Sequence, residues 1–168
     1  MIMRSMRGRI RNFFLVVAAI VGWATMALGQ TAGKSLQEYA NDSLGIRLLL
    51  PCIPALTMPE FPGSEPSLTC TGSGSTVVIN SSPQVIRSKK ELDAFLEKGV
   101  QVEGVKVRKK RMRIHGKGAR QISFPIQGMR AVLCIIARTD DILSVAVVEP
   151  AGGASTVGPQ VIRSIRLY

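Results

Sequence analysis

The sequence predicts an α+β fold in which helices pack on an antiparallel sheet. The stretch Gly128–Pro150 holds two short apolar runs on either side of Thr139–Asp141, a polar break that suits a tight turn. The segment Ser88–Gly99 has the apolar spacing of a helix. Short runs with strand character, separated by Gly, Pro and Asn, make up most of the remainder. Together these features favour strands joined by tight turns, with few helices.

The two runs within Gly128–Pro150 predict a central β-hairpin. Each run is too short for a typical helix, and the second is rich in β-branched residues. Both are apolar at nearly every position, so both faces of the hairpin should be covered. We expect helices on at least one of those faces.

The segment Ser88–Gly99 is the best helix candidate. Ser88 can cap the first turn, and Glu91 stands three residues on, where a capping box would direct its carboxylate to the Ser88 amide. One face is apolar and should pack on the sheet. That face is formed by Leu92, Phe95 and Leu96.

Several weaker signals place the remaining elements before the helix. Leu44–Leu50 predicts a strand that ends at Pro51, and the Pro-rich Pro51–Pro66 predicts a long extended surface connection. Ser67–Thr71 and Ser75–Asn80 predict a hairpin around a Gly-Ser-Gly turn.

Beyond the helix, the most charged stretch of the chain predicts an irregular strand. In Val105–His115 the apolar residues change face near Lys109 and Lys110, which predicts a bulge there. A turn at Gly116–Gly118 and a strand at Ala119–Phe124 should follow. Thr156–Arg163 predicts a short closing helix.

Residues 1–29 predict a secretory signal peptide. Four arginines precede the apolar run Phe13–Leu28, which is short for a membrane span of about 20 residues, and small residues stand before Gln30. An uncleaved N-terminal anchor is the alternative. Cleavage would leave residues 30–168 as a single domain and lower the formal net charge from +11 to +7.

The order of these elements, with two short end motifs, is similar to the PsbP-like secreted α/β domain. The motifs are Leu44–Pro51, a glycine-containing strand that runs into proline, and Ser164–Leu167 at the end of the chain. Aliphatic residues replace the aromatic residues usual in that family. The resemblance implies a three-layer fold with an antiparallel sheet, in a family whose soluble members mostly act by binding. No family site residue carries over to this chain.

The cysteines that follow the leader predict one disulfide bond. Cys52 and Cys70 would close the Pro-rich connection in an oxidising compartment, whereas in a reducing one they would stay free. Cys134 lies between Leu133 and Ile135, so we expect a buried, unreactive thiol. A disulfide-linked dimer through the third cysteine is an alternative use.

We predict no catalytic residues, no metal site and no cofactor. The chain has one histidine, His115, at a turn, and it lacks the Gly-x-Ser-x-Gly and Cys-x-x-Cys patterns of common nucleophile and zinc sites. Among its few acidic residues, Glu91, Asp93 and Glu97 fall on the exterior of the predicted helix and Asp140 and Asp141 at a turn, so no carboxylate pair for glycoside cleavage is evident.

The basic run at residues 106–113 is the sharpest functional feature. Together with nearby cations, among them Arg130, it could form a cationic face that attracts anionic lipid or polysaccharide. The alternative is a solvated edge strand whose charges discourage strand-to-strand association. The candidate anion-binding residues are Lys106, Arg108, Lys109, Lys110, Arg111, Arg113, Lys117 and Arg120.

These observations predict an exported binding or assembly module, periplasmic or extracellular, without catalytic activity. The alternatives are a secreted protein that binds an anionic lipid or polysaccharide through the basic run, and an enzyme of unrecognised type. The expected partner is a protein or an anionic surface. We do not expect nucleic acid, because no aromatic residue interleaves with the cations to stack bases. Membrane contact would come only from the leader or from surface charge.

Overall fold

The structure is a computed structural model, and it describes residues 35–58, 65–99, 106–152 and 157–168. These residues form two antiparallel sheets and two helices, and strand predominates. In chain order the elements are β1 (Gln37–Asn41), β2 (Ile46–Leu50), β3 (Ala55–Thr57), β4 (Ser67–Gly72), β5 (Ser75–Ser82), α1 (Lys89–Gly99), β6 (Arg108–Ile114), β7 (Lys117–Ile126), β8 (Met129–Ala137), β9 (Ile142–Pro150), α2 (Val157–Ser164) and β10 (Arg166–Leu167). The predicted leader, residues 1–29, lies outside the described residues and stays a prediction.

The central hairpin is confirmed. It consists of β8 and β9, which occupy the middle of a seven-stranded sheet in the order β3-β4-β5-β9-β8-β7-β6. The Arg138 amide donates a 2.9 Å hydrogen bond to the Asp141 carbonyl across the turn. Side chains on both faces of the hairpin are fully buried, as the continuous apolar runs predicted. They include Ile135, Ile136, Val145 and Val147.

The two faces of the large sheet carry separate cores. On one face Leu92 and Leu96 of α1 pack on residues of β7, β8 and β9, including Ile122. On the other face β2 and α2 share a core with the sheet through residues such as Leu48 and Ile162. Helices therefore cover both faces of the hairpin, and the predicted antiparallel sheet with packed helices is confirmed.

The start of α1 has a cap that differs in one bond from the prediction. The Ser88 hydroxyl accepts a 3.1 Å hydrogen bond from the Glu91 amide, as expected. The Glu91 carboxylate, however, accepts a 2.8 Å hydrogen bond from the amide of Arg87, not of Ser88. The Glu91 side chain bonds one residue further back than in a capping box. The amides of Arg87 and Glu91 at the start of the helix both still have a side-chain acceptor.

A separate three-stranded sheet, in the order β1-β2-β10, was not predicted. The apolar run at Leu44–Leu50 does form a strand, β2, but its neighbours are elements that the sequence hardly marks. Strand β1 has mainly polar, exposed residues, and β10 has two residues. The predicted Pro-rich connection likewise contains a short strand, β3, which pairs with β4 at the outer edge of the large sheet. Proline is tolerated around such an edge because the outward amide needs no partner.

The predicted bulge in the basic run is wrong for the described residues. Strand β6 pairs with β7 in continuous register from Arg108, opposite Ser123, to Ile114, opposite Lys117. Val107 packs with the core under α1, whereas Met112 and Ile114 pack with the opposite core. The apolar residues change face because each end of this segment meets a different core, so the backbone stays regular.

The turn between β6 and β7 lies one residue earlier than predicted. It consists of His115 and Gly116, both with positive φ (46° and 76°). Two positive φ angles in a two-residue loop are typical of a type I′ hairpin turn, which matches the twist of the paired strands. The Ser73-Gly74 turn, inside the predicted Gly-Ser-Gly segment, has the same form with φ of 52° and 71°.

Candidate anion-binding surface

Five of the eight predicted cations lie on one edge strand of the large sheet. Strand β6 is the last strand of that sheet, and among the described residues it pairs only with β7. Its sequence RKKRMRI carries five cations and no acidic residue. All five are exposed; we call them the basic edge, which consists of Arg108, Lys109, Lys110, Arg111 and Arg113.

The hairpin turn fixes which backbone groups of β6 face outward. Ile114 and Lys117 flank a two-residue turn, so their amides and carbonyls bond each other. Inward bonding alternates along an antiparallel pair, so the outward amides and carbonyls belong to Lys109, Arg111 and Arg113. The outward-facing amides and carbonyls of β6 therefore belong to three residues of the basic edge.

The side chains of the basic edge project to both faces of the sheet. Arg111 lies on the α1 face, where it forms an ion pair of 3.2 Å with Asp93 of that helix. Lys109 and Arg113 share that face because side chains alternate along a strand. Arg108 and Lys110 lie on the opposite face. Lys106 before the strand and Lys117 after the turn are also exposed.

Arg120 does not join this surface, which corrects its prediction as part of an exposed cationic face. Its side chain is buried, and its Nε donates a 2.7 Å hydrogen bond to Asp93 Oδ1. Arg120 lies opposite Arg111 on β7, but beneath α1. Hydrogen bonding to Arg120 holds the pKa of the Asp93 carboxyl below its usual range, with smaller effects of Arg120 and Arg111 charge. Asp93 thus pairs with two cations, a role that only the packing of α1 on the sheet reveals.

Arg130 is likewise engaged inside the fold. It donates hydrogen bonds to the carboxylate of Glu149, its cross-strand neighbour on β9. Glu149 is fully buried, whereas the Arg130 side chain is 42% exposed. The Arg130 charge is therefore balanced locally and lies on a strand that is not at the edge.

The predicted disulfide between Cys52 and Cys70 is confirmed. Their Cα atoms are 5.7 Å apart, and the bond ties the start of the Pro-rich connection to β4. Cys134 is a free, buried cysteine, and burial raises the pKa of its thiol to about 12. A thiol with that pKa is protonated at neutral pH and is a poor nucleophile.

The single histidine of the chain lies at the end of the basic edge. His115 is exposed, as expected, and its Nδ1 lies 2.6 Å from the carbonyl oxygen of Leu167. This contact joins the β6–β7 turn to the C-terminal strand. The same end of the chain is held by the Tyr168 hydroxyl, which donates a 2.7 Å hydrogen bond to Asp42. The histidine therefore has a structural contact.

An open cleft of about 530 Å³ lies where the turn after β1 meets β4 and β5. Asp141 lines it and forms an ion pair with Arg138, and its carboxylate also accepts a hydrogen bond from Ser81. Burial alone would raise the pKa of Asp141, but hydrogen bonds from Arg138 and Ser81 outweigh it and hold that pKa below its usual range. Arg138 also donates to the carbonyl of Leu44, which joins the two sheets. The Asp141–Arg138 pair at this cleft thus supports the fold.

The described part of the chain holds no group of three or more His, Cys, Asp or Glu side chains placed to bind a metal ion. Within those same ranges, no helix has the length and apolar character that a membrane crossing requires.

Comparison with known proteins identifies the fold. No protein-family model matches the chain, and no curated protein matches its sequence. The chain is similar to the solution structure of cyanobacterial PsbP (CyanoP) from Synechocystis sp. PCC 6803, with a TM-score of 0.57 and 13% identity over 84% of this chain and 99% of that one. A crystal structure of a protein of unknown function from Pseudomonas aeruginosa aligns with 18% identity over 69% and 83% of the two chains, but its TM-score of 0.39 supports no argument. The chain therefore has a PsbP-like fold, as its order of elements predicted.

Proposed function

We propose that this chain is an exported binding or assembly module of the cell envelope that has no catalytic activity. The observation that carries the proposal is a contrast within the described residues. Groups that could serve chemistry, such as Asp93, Asp141 and Cys134, have internal partners or are buried. The basic edge instead presents charge and open backbone to solvent.

Two further observations support export. The Cys52–Cys70 disulfide suits an oxidising compartment, because thiols are kept reduced in most cytosols. Residues 1–29 have the charge and apolar pattern of a cleavable leader. Mass spectrometry of the full-length chain expressed in a bacterium tests this: we expect an exported product that begins near Gln30. A product that keeps Met1 contradicts cleavage, and one that stays in the cytosol contradicts export.

Site-specific photo-crosslinking in the producing cell tests the binding function. A photoreactive residue in place of Lys110 should give a discrete adduct with an envelope component. The matched control replaces Leu56, which is exposed on β3 at the opposite edge of the same sheet. No adduct from position 110, or the same adducts from both positions, would contradict a specific binding surface.

A second candidate function is the binding of an anionic lipid or polysaccharide. The five exposed cations of one strand favour it, because clustered charge attracts polyanions. Retention on heparin or anionic vesicles that persists above about 0.3 M salt would exceed what screened bulk charge allows. The double change Lys109→Glu/Lys110→Glu should abolish it, whereas Lys89→Glu/Arg163→Glu, which alters net charge equally at exposed helix positions, should not. Equal loss in both variants contradicts this function.

A further inference from the structure

We propose that β6 accepts an extended acidic segment of a partner polypeptide as an added strand at the open edge of the sheet. This inference rests on the proposed binding function and names the class of partner. Strand addition requires a free edge, and β6 pairs only with β7 among the described residues. It also requires backbone groups in the right phase, which Lys109, Arg111 and Arg113 supply.

The charge of the strand selects the partner. An added strand places its side chains directly opposite those of β6, about 5 Å apart, where opposite charges attract and like charges repel. A second copy of β6 would bring cations against cations, so self-pairing is disfavoured. An acidic segment would meet Lys109 and Arg113 on the α1 face and Arg108 and Lys110 on the other. Strand β6 therefore disfavours pairing with a second copy of itself and favours pairing with an acidic strand.

The arrangement of the cations favours a polypeptide over an anionic surface. A membrane presents its charges in a plane, whereas the side chains of the basic edge point to both faces of a sheet edge. An extended polypeptide has the same alternation, so it can meet both sets at once. It can also pair with the open amides and carbonyls of β6, which gives it contacts beyond charge. Of the five cations of the basic edge, Asp93 pairs with Arg111 alone. Its carboxylate therefore leaves the other four cations available to the partner.

The packing of β6 on the core of the domain holds this edge in place for such a partner. Ile114 is buried, and Met112 packs against the same core, so the strand is held from the face opposite α1. The type I′ turn at His115 and Gly116 holds its register against β7. A partner strand therefore binds a preformed edge, and only the partner has to become ordered on binding.

The experiment uses the protein purified from cells that express the full chain. The probe is a peptide of about nine residues built from Glu-Glu-Thr-Thr repeats, which places Glu on both faces of an added strand and is long enough to span β6 at about 3.3 Å per residue. We measure peptide affinity and amide hydrogen exchange by NMR. We expect slowed exchange on binding at Lys109, Arg111 and Arg113, whose amides face outward. Lys110 and Met112 are internal controls, because their amides already bond β7.

Two matched pairs separate strand addition from charge. A peptide of the same sequence with its central amides N-methylated keeps the charge but loses the donors, and should bind at least about tenfold more weakly. In the protein, Arg113→Pro removes one outward donor, and Arg113→Gln removes the same charge but keeps that donor. We expect Arg113→Pro to weaken binding more than Arg113→Gln. The methylated peptide keeps the test valid if Arg113→Pro fails to fold.

Each outcome decides the inference. Binding with protection of the three outward amides supports it. Equal binding of both peptides without that protection overturns strand addition and leaves charge-based binding of anions. Binding of anionic vesicles but not of the peptide overturns it in favour of a surface ligand. Failure of the peptide to bind, combined with a discrete adduct from position 110, overturns the acidic-strand partner while the binding function stands.

Discussion

The carboxylate of Glu149 accepts a 3.0 Å hydrogen bond from the amide of Gly158, in the first turn of α2. Glu149 is fully buried near the end of β9, so this bond fixes the start of the helix to the central strand of the sheet. A Cβ atom on residue 158 would lie 3.1 Å from Glu149 Oε1, closer than such contacts normally are. Glycine is therefore the residue that lets the helix approach the carboxylate.

Loss of this carboxylate should destabilise the protein strongly. Glu149→Ala removes the carboxylate that accepts hydrogen bonds from the Gly158 amide and from Arg130, so we expect the free energy of unfolding to fall by about 3 kcal/mol. Denaturant unfolding at pH 7 measures the change. The control is Glu97→Ala, on the exposed side of α1, which should change it by less than about 0.5 kcal/mol. Equal effects would contradict an anchoring role of Glu149.

Asp141 should make stability depend on pH in the acid range. Its folded-state pKa is lowered, so the ionised form stabilises the fold above the ordinary pKa of about 3.9, and the stabilisation disappears as pH falls through the folded value. Asp141→Asn should therefore lower the free energy of unfolding by about 1–2 kcal/mol at pH 7. The difference in the free energy of unfolding between Asp141→Asn and the unmodified protein should become smaller below about pH 4.

The neighbouring residue provides the control for this pH effect. Asp140 lies in the same turn and is exposed. Asp140→Asn makes the same chemical change, yet it should leave the unfolding curve near that of the unmodified protein at both pH values. A pH-independent effect of Asp141→Asn would show that the ion pair with Arg138 does not contribute through charge.

The disulfide should contribute to stability through the unfolded chain. It joins cysteines 18 residues apart, and a closed loop of that size restricts the unfolded state by about 3 kcal/mol. The variant Cys52→Ser/Cys70→Ser should unfold at lower denaturant, and addition of a reductant should lower the midpoint of the unmodified protein but not of this variant. A reductant effect on the variant would point to an intermolecular disulfide through Cys134, the one cysteine that remains.

Cys134 should resist alkylation while the protein is folded. Burial raises the pKa of its thiol to about 12, so almost no thiolate exists at pH 8, and the side chain is inaccessible. Incubation with iodoacetamide followed by mass spectrometry should show no adduct on the folded protein. The same treatment in denaturant should add one group, and three after reduction. An adduct on the folded protein would show that the core around β8 opens readily.

Local sequence patterns were sufficient for the elements that carry their own signal. The hairpin of β8 and β9 was predictable because burial on both faces leaves an apolar run with a turn between its halves. The helix α1 was predictable from its cap and apolar spacing. The strands β1 and β10 were not, because a short polar strand at the edge of a small sheet resembles a loop in sequence.

For the candidate anion-binding surface, too, the sequence predicted some properties and only the tertiary structure decided others. The exposure of Lys109, Lys110 and Arg113 agrees with the expectation for a charged strand, but no local pattern distinguishes Arg120 from them. Arg120 is buried because helix α1 brings Asp93 over β7, and this contact joins residues 27 positions apart in the chain.

By itself the sequence determined the hairpin at the centre of the sheet, the main helix, the cysteine pair and the presence of a basic strand, because each depends on residues that are near one another or on composition. Only the tertiary structure decided that this strand is an edge, which of its backbone groups face outward and which cations are neutralised. Those properties depend on neighbours that are distant in the chain, so no local pattern encodes them.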